Sequence, residues 1–209
     1  MQNKNSRWLR LGITGGAGSG KSVVCRQLQS HGAAVIMTDE LSRRAVEPGM
    51  PAYEQIVRRF GEEVLAADGT IDRPGLRAVI VRDPEKKKTL EGIVHPEVFR
   101  LMAADESAAV EKGAAVVAIE VPLLFETGMQ DYFDCIATIH VDRETRIQRL
   151  MERDQITRAD AEALMQIQWP EAEKQKKSDF VIDNTGSLAE TRAAVDRLYM
   201  NLTERLKNL

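Results

Sequence analysis

The chain has 209 residues, 43% of them hydrophobic and 29% charged, with a formal net charge of −3 at pH 7. That balance suits a globular chain long enough to bury a core of its own, and it excludes an intrinsically disordered one. The lack of a basic excess, with only 5% aromatic residues, argues against nucleic acid as a partner, either as a duplex or stacked on a base-binding platform.

Cys25 and Cys135 form no CxxC pair and have no zinc-type spacing, so neither a disulfide framework nor a structural metal is expected. The opening MQNKNSRWLRLG has basic residues but no apolar core of signal-peptide length, and no apolar run approaches a membrane span. The expectation is a reduced, cytoplasmic chain without a membrane partner.

In chain order, Leu9 to Thr14 reads as a first strand and Val23 to Ser30 as a helix. Ala33 to Met37 forms a second strand that stops at Thr38-Asp39. Ala114 to Val121, Cys135 to Val141 and Phe180 to Ile182 supply a third, fourth and fifth. Short apolar runs alternating with helical periodicity predict an α/β fold, a parallel sheet flanked by helices. Between the second and third strands, Tyr53, Ile56, Val57 and Phe60 fall on one helix face that Gly61 can end. Pro84 to Val94 and Glu97 to Lys112 read as two further helices separated by a break at His95-Pro96. This stretch is far longer than a βαβ crossover needs, so a helical lobe inserted into the sheet domain is expected. Arg143 to Arg153 is predicted to be a helix capped by Asp142. A capping box, Ser187 to Glu190, opens a C-terminal helix with Val195, Leu198, Tyr199, Leu202 and Leu206 on its inner face. The expected organisation is one domain: a core at about 8–41, 114–142 and 178–209, a helical lobe at about 42–113, and a lid region at about 143–177.

The chemistry is concentrated in Gly15-Gly16-Ala17-Gly18-Ser19-Gly20-Lys21-Ser22, a full match to G-x-x-x-x-G-K-[ST] placed between a strand and a helix. Glycines let successive N–H groups converge on a phosphate, and the following helix adds the positive end of its dipole. Lys21 supplies charge for the β- and γ-phosphates, and Ser22 a hydroxyl for Mg²⁺. No guanine-reading N-K-x-D is present, and Asp72-Arg73-Pro74-Gly75 reads as a helix start instead of a switch. Asp39 lies eighteen residues after Lys21 at the end of the second strand, where a carboxylate can accept a hydroxyl proton or simply cap a helix. Glu120 closes VVAIE either as a carboxylate reaching magnesium through water or as a strand-end charge facing solvent. Arg149 and Arg153 are four residues apart on one helix face, suited to closing over transferring phosphates or to a solvated surface. Lys86-Lys87-Lys88 reads as a solvated face, and the cysteines as core thiols.

From Leu11 to Gly186 the chain resembles the dephospho-coenzyme A kinase family. The resemblance rests on LGITGGAGSGKS, Thr38-Asp39, FGEEVLAADGTIDRPGLR, LEGIVHPEV, VPLLFETG, RLMERD, Gln168 and SDFVIDNTG. It implies a phosphate-loop core of five parallel strands, a helical lobe for dephospho-coenzyme A and a small lid. It also implies ATP-dependent, Mg²⁺-requiring phosphorylation of the ribose 3′-hydroxyl. Asp39 would be the base, Lys21 and Arg149 would act on the transferring phosphate, and Arg153 would contact phosphate. Residues Gly16 to Val23 and Asn184 would hold ATP, while Arg73, His95 and Leu123 would lie in or beside the acceptor pocket. The rivals are another nucleotide or small-molecule kinase of this fold, or a nucleotide switch. A monomer or small homo-oligomer fits either. Three positions depart from the family's habit: Met37 replaces a frequent acidic residue, Val23 a frequent Thr, and Ala163 a frequent Arg.

Overall fold

A computed structural model describes residues 8–207. Most of the stretch read for a targeting signal, and the last two residues assigned to the core, lie outside the described residues. The chain divides into two compact units. One runs up to Ile36 and resumes at Ala108; the other is Met37–Ser107.

The first unit is built on five strands: β1 (Leu9–Thr14), β2 (Ala34–Met37), β3 (Val116–Glu120), β4 (Cys135–His140) and β5 (Phe180–Asp183). Their order in the sheet is β2-β3-β1-β4-β5, with β1 parallel to β3 and β4, and β4 parallel to β5. Strands covered on both faces need continuous apolar runs, and every residue of β3 (VVAIE) is buried. Leu11 and Ile13 of β1 pack with Val24 and Leu28 of helix α1 (Lys21–Ser30), and with Val195, Leu198 and Leu202 of the C-terminal helix α9 (Leu188–Lys207). The Ser187–Glu190 capping box forms, with Ser187 N–H donating to Glu190 and Glu190 N–H donating to the Ser187 hydroxyl. Three helices lie between β4 and β5: α6 (Arg143–Asp154, capped by Asp142), α7 (Arg158–Gln166) and α8 (Glu171–Lys176). Ile147, Leu150 and Ala161 make a small core between α6 and α7.

The second unit is helical: α2 (Thr38–Arg44), α3 (Pro51–Phe60), α4 (Arg73–Val81) and the greater part of α5 (Pro84–Glu111). Ile56, Val64, Ile71 and Leu76 form its core. Gly61 ends α3 with φ 87°, and Asp72 caps α4 by accepting from the Gly75 N–H.

Three expectations need correction. The break at His95-Pro96 does not occur, because α5 runs unbroken from Pro84 to Glu111 with Pro96 inside it. Pro96 forfeits one bond, to Gly92, and both residues are exposed, so the orphaned carbonyl can be solvated. Leu90, Ile93 and Val94 before the proline and Leu101 and Met102 after it are packed and hold the helix through that point. Asp39 is not an N-cap: α2 begins at Thr38 after Met37, which places Asp39 in the first turn. Helix α1 begins at Lys21, two residues earlier than its apolar pattern suggested.

Candidate active site

The phosphate loop leaves the carboxyl end of β1 and enters α1 directly. Gly20, the N-cap of α1, has φ 86°, and a Cβ there would lie 2.2 Å from Asn184 Nδ2, so both backbone and space require glycine. Lys21 Nζ folds across the loop and donates to the carbonyls of Gly15 (3.0 Å) and Gly16 (3.4 Å). Ser22 lies exposed in the first turn of α1. The buried Ser19 hydroxyl has no hydrogen-bond partner among the described residues. An orphaned hydroxyl in a glycine-rich loop, beside a lysine that donates to the loop's own carbonyls, is a cradle prepared for oxygen-rich anionic chemistry.

Side chains from the far end of the unit fasten this loop. Asn184, just after β5, is buried; its Nδ2 donates to the Ser19 carbonyl (2.8 Å) and its Oδ1 accepts from Thr191 (2.8 Å). Arg149 on α6 donates to the Asn184 carbonyl (3.2 Å). The structure thus sets the Asn184 amide between the phosphate loop and α9. Arg153, one turn beyond Arg149, pairs with Asp154 (2.7 Å) and stays mostly exposed.

Two residues missed as functional candidates do reach the loop. Arg146, only 6% exposed, donates to the Ala17 carbonyl (3.1 Å) and to Glu171 (2.5 Å). Gln168 accepts from the Ala17 N–H (2.8 Å). The usable signal was Arg146 standing one turn before Arg149 on the same helix.

Glu120 does not face solvent. It is buried at the end of β3, and the Cys25 thiol donates to its Oε2 (3.7 Å). Burial, reinforced by the Glu120 charge, pushes the Cys25 thiol up to about 12. The Cys135 thiol is also pushed up to about 12, again mainly by burial. Leu123 is exposed in the turn after β3, its carbonyl accepting from the Thr127 N–H and hydroxyl. No group of three His, Cys, Asp or Glu side chains among the described residues could cage a metal. Ser22, in the first turn of α1, offers a hydroxyl that could join phosphate oxygens around a divalent ion.

In the helical unit, Asp39 is exposed, and its carboxylate makes no hydrogen bond or ion pair among the described residues. Arg73 reaches the Ser42 carbonyl (3.5 Å) and, with Arg77 and Arg82, lines an open cavity of about 600 Å³. His95 is exposed on α5.

A family model described as dephospho-CoA kinase matches residues 9–190. The chain is 43% identical to a dephospho-CoA kinase of Geobacillus kaustophilus over 88% of its own length and 92% of that protein. It is 42% identical to one of Geobacter metallireducens, over 94% and 98% respectively. Among solved structures it superposes on a Thermus thermophilus protein with TM-score 0.82 and 36% identity, covering 94% of this chain and 98% of that one. It also matches a dephospho-CoA kinase from Campylobacter jejuni, with TM-score 0.71, 26% identity and coverage of 96% and 98%. A shikimate kinase from Acinetobacter baumannii, 15% identical with TM-score 0.53 over 96% of this chain and 97% of that one, shares the fold.

Proposed function

The chain belongs to the dephospho-CoA kinase family, and on that premise we propose that it moves the γ-phosphoryl group of ATP to the ribose 3′-hydroxyl of dephospho-CoA, releasing CoA and ADP. The observation that carries this reading is the fastened phosphate loop at the end of β1, with Lys21 at its mouth. Phosphoryl transfer asks little covalent chemistry of the protein, so catalysis rests on holding charge and aligning oxygens.

In this reading the loop residues Gly16 to Val23 bind the ATP phosphates. Lys21 leaves the Gly15 and Gly16 carbonyls for the β- and γ-phosphates, stabilising the charge that spreads over the transferring group. Arg149 supplies a second cation from α6, and Arg153 joins only by giving up Asp154. Asp39, an unengaged carboxylate in the first turn of α2, accepts the proton of the 3′-hydroxyl as its oxygen bonds to the γ-phosphorus and the bond to the β,γ-bridging oxygen breaks. Arg73, His95 and Leu123 are assigned to the acceptor. Ser22 would hold Mg²⁺, with Glu120 acting through water, and the ion would neutralise charge on the β- and γ-oxygens.

The test is coupled ADP release with ATP and Mg²⁺ across a panel of acceptors. Brisk release only with dephospho-CoA, with product bearing a new 3′-phosphate, is expected. Stimulation by a different hydroxyl compound, or by none, would refute it.

A further inference from the structure

Ala17, third of the eight loop residues, is held through its carbonyl, N–H and methyl by the segment between β4 and β5. Its carbonyl accepts from Arg146 Nε (3.1 Å) and its N–H donates to Gln168 Oε1 (2.8 Å). Its methyl packs on the core of Ile147, Leu150 and Ala161. Arg146 is itself fixed: Nη1 donates to Glu171, which also accepts from the Val141 N–H (3.3 Å). The guanidinium lies flush against the neighbouring residue, since a Cβ on Gly16 would fall 2.0 Å from Nη2. Gln168 and Glu171 are three residues apart, so both hydrogen-bonded grips on Ala17 are anchored in one short stretch of chain leading into α8.

A glycine-rich loop needs such support. Its backbone is costly to order, and the donors it gathers around a phosphate repel one another until the anion arrives. Within the loop's backbone, Ser19 N–H to Gly16 (3.1 Å) is one of few stitches. We propose that Arg146 and Gln168 are positioning residues that clamp Ala17 and so hold the phosphate loop in its anion-binding form before nucleotide arrives. Arg146 does this as a forked donor, one arm on the loop and one on Glu171. Its charge is neutralised by that carboxylate, and its burial keeps it off the substrate. A clamp of this kind lowers the dissociation constants of ATP and ADP together, because any loop population outside the binding form weakens both by the same fraction. It leaves the acceptor untouched.

The inference rests on the loop being the nucleotide site, so the experiment begins with titration calorimetry of ADP binding to the wild-type protein. Absence of binding there would sink the functional reading itself. Given binding, Arg146→Gln is expected to raise the ADP dissociation constant about tenfold or more, equal to about 1.4 kcal/mol. Stoichiometry should stay near one, and the KM for dephospho-CoA should be unchanged. Arg146→Lys keeps a charge for Glu171 but cannot serve both arms, so it should recover thermal stability without recovering ADP affinity. Gln168→Ala leaves the buried Arg146–Glu171 pair intact and should raise the ADP and ATP constants by the same factor. It serves as the decisive variant should Arg146→Gln fold poorly. Unchanged ADP affinity in Gln168→Ala or in folded Arg146 variants would overturn the clamp. So would a loss appearing only as reduced stoichiometry, which would make these residues structural.

Discussion

Lys174 of α8 is 1% exposed, and its ammonium sits 2.7 Å from Glu126, a residue whose side chain is 14% exposed. The carboxylate also accepts the Trp169 N–H (2.8 Å), and the ammonium makes a longer contact to the Pro122 carbonyl (3.4 Å). Lys174→Ala would strand a largely buried carboxylate whose other oxygen already lacks a partner among the described residues. Removing one member of a buried pair typically costs about 3–5 kcal/mol. The surviving Trp169 bond and the residual exposure place this case near about 3 kcal/mol. For a chain of this size that is a fall in Tm of about 6–12 °C. The double variant Lys174→Met/Glu126→Gln keeps an acceptor for Trp169 and removes both charges, so it should regain most of the loss. Urea unfolding of the wild type, Lys174→Met, Glu126→Gln and the double variant gives the coupling directly.

The pH dependence supplies an independent check on the same pair. Burial raises the Glu126 carboxyl, but the hydrogen bonds from Lys174 and from the Trp169 amide outweigh it and hold the group below the usual carboxylate range. A carboxylate with a depressed folded pKa contributes stability above its unfolded value of about 4.3, and that contribution is lost as pH falls through the folded value. The gap between wild type and Lys174→Ala should therefore be full near neutral pH and narrow in acid. A Lys174→Ala cost within about 0.5 kcal/mol, the range of an ordinary surface substitution, would refute the reasoning. So would a gap that widens as the pH is lowered.

Lys21→Ala removes the main protein charge from the transferring phosphate and should cut turnover by about two orders of magnitude or more, measured as ADP release; near-normal activity would sink the loop assignment. Asp39→Asn should fold and bind ADP normally while losing about 10²- to 10⁴-fold in kcat, and a defect confined to ATP affinity would make Asp39 a metal or structural residue. With both thiols pushed up to about 12, only about one part in 10⁴ is thiolate at pH 8. Cys25 and Cys135 should therefore resist iodoacetamide until the protein is unfolded, and modification of the native protein within minutes, read by mass spectrometry, would contradict their burial.

The parallel sheet was legible because its signals are local. Apolar runs such as VVAIE and CIATI can be satisfied only by burial on both faces, and the phosphate-loop spacing has to bridge a strand and a helix. Caps were equally readable: Asp72, Asp142 and Ser187 each act within three residues of their partners. The reading failed at Pro96 because a proline's local cost was taken as decisive, whereas packing on both sides of it outweighs the one bond it forfeits. Around the site the same division holds. Residues proposed to act through their own chemistry, Lys21, Ser22 and Asp39, can be nominated from type and place. Those that act on the loop through long-range hydrogen bonds could not: Arg146 is 129 positions from Ala17 and Gln168 is 151. The loop motif thus specifies a phosphate cradle, while what makes that cradle rigid is written in residues whose spacing carries no local period. The same motif on another scaffold would need a different set of fasteners, so the share of nucleotide affinity owed to the clamp belongs to this chain and not to the motif.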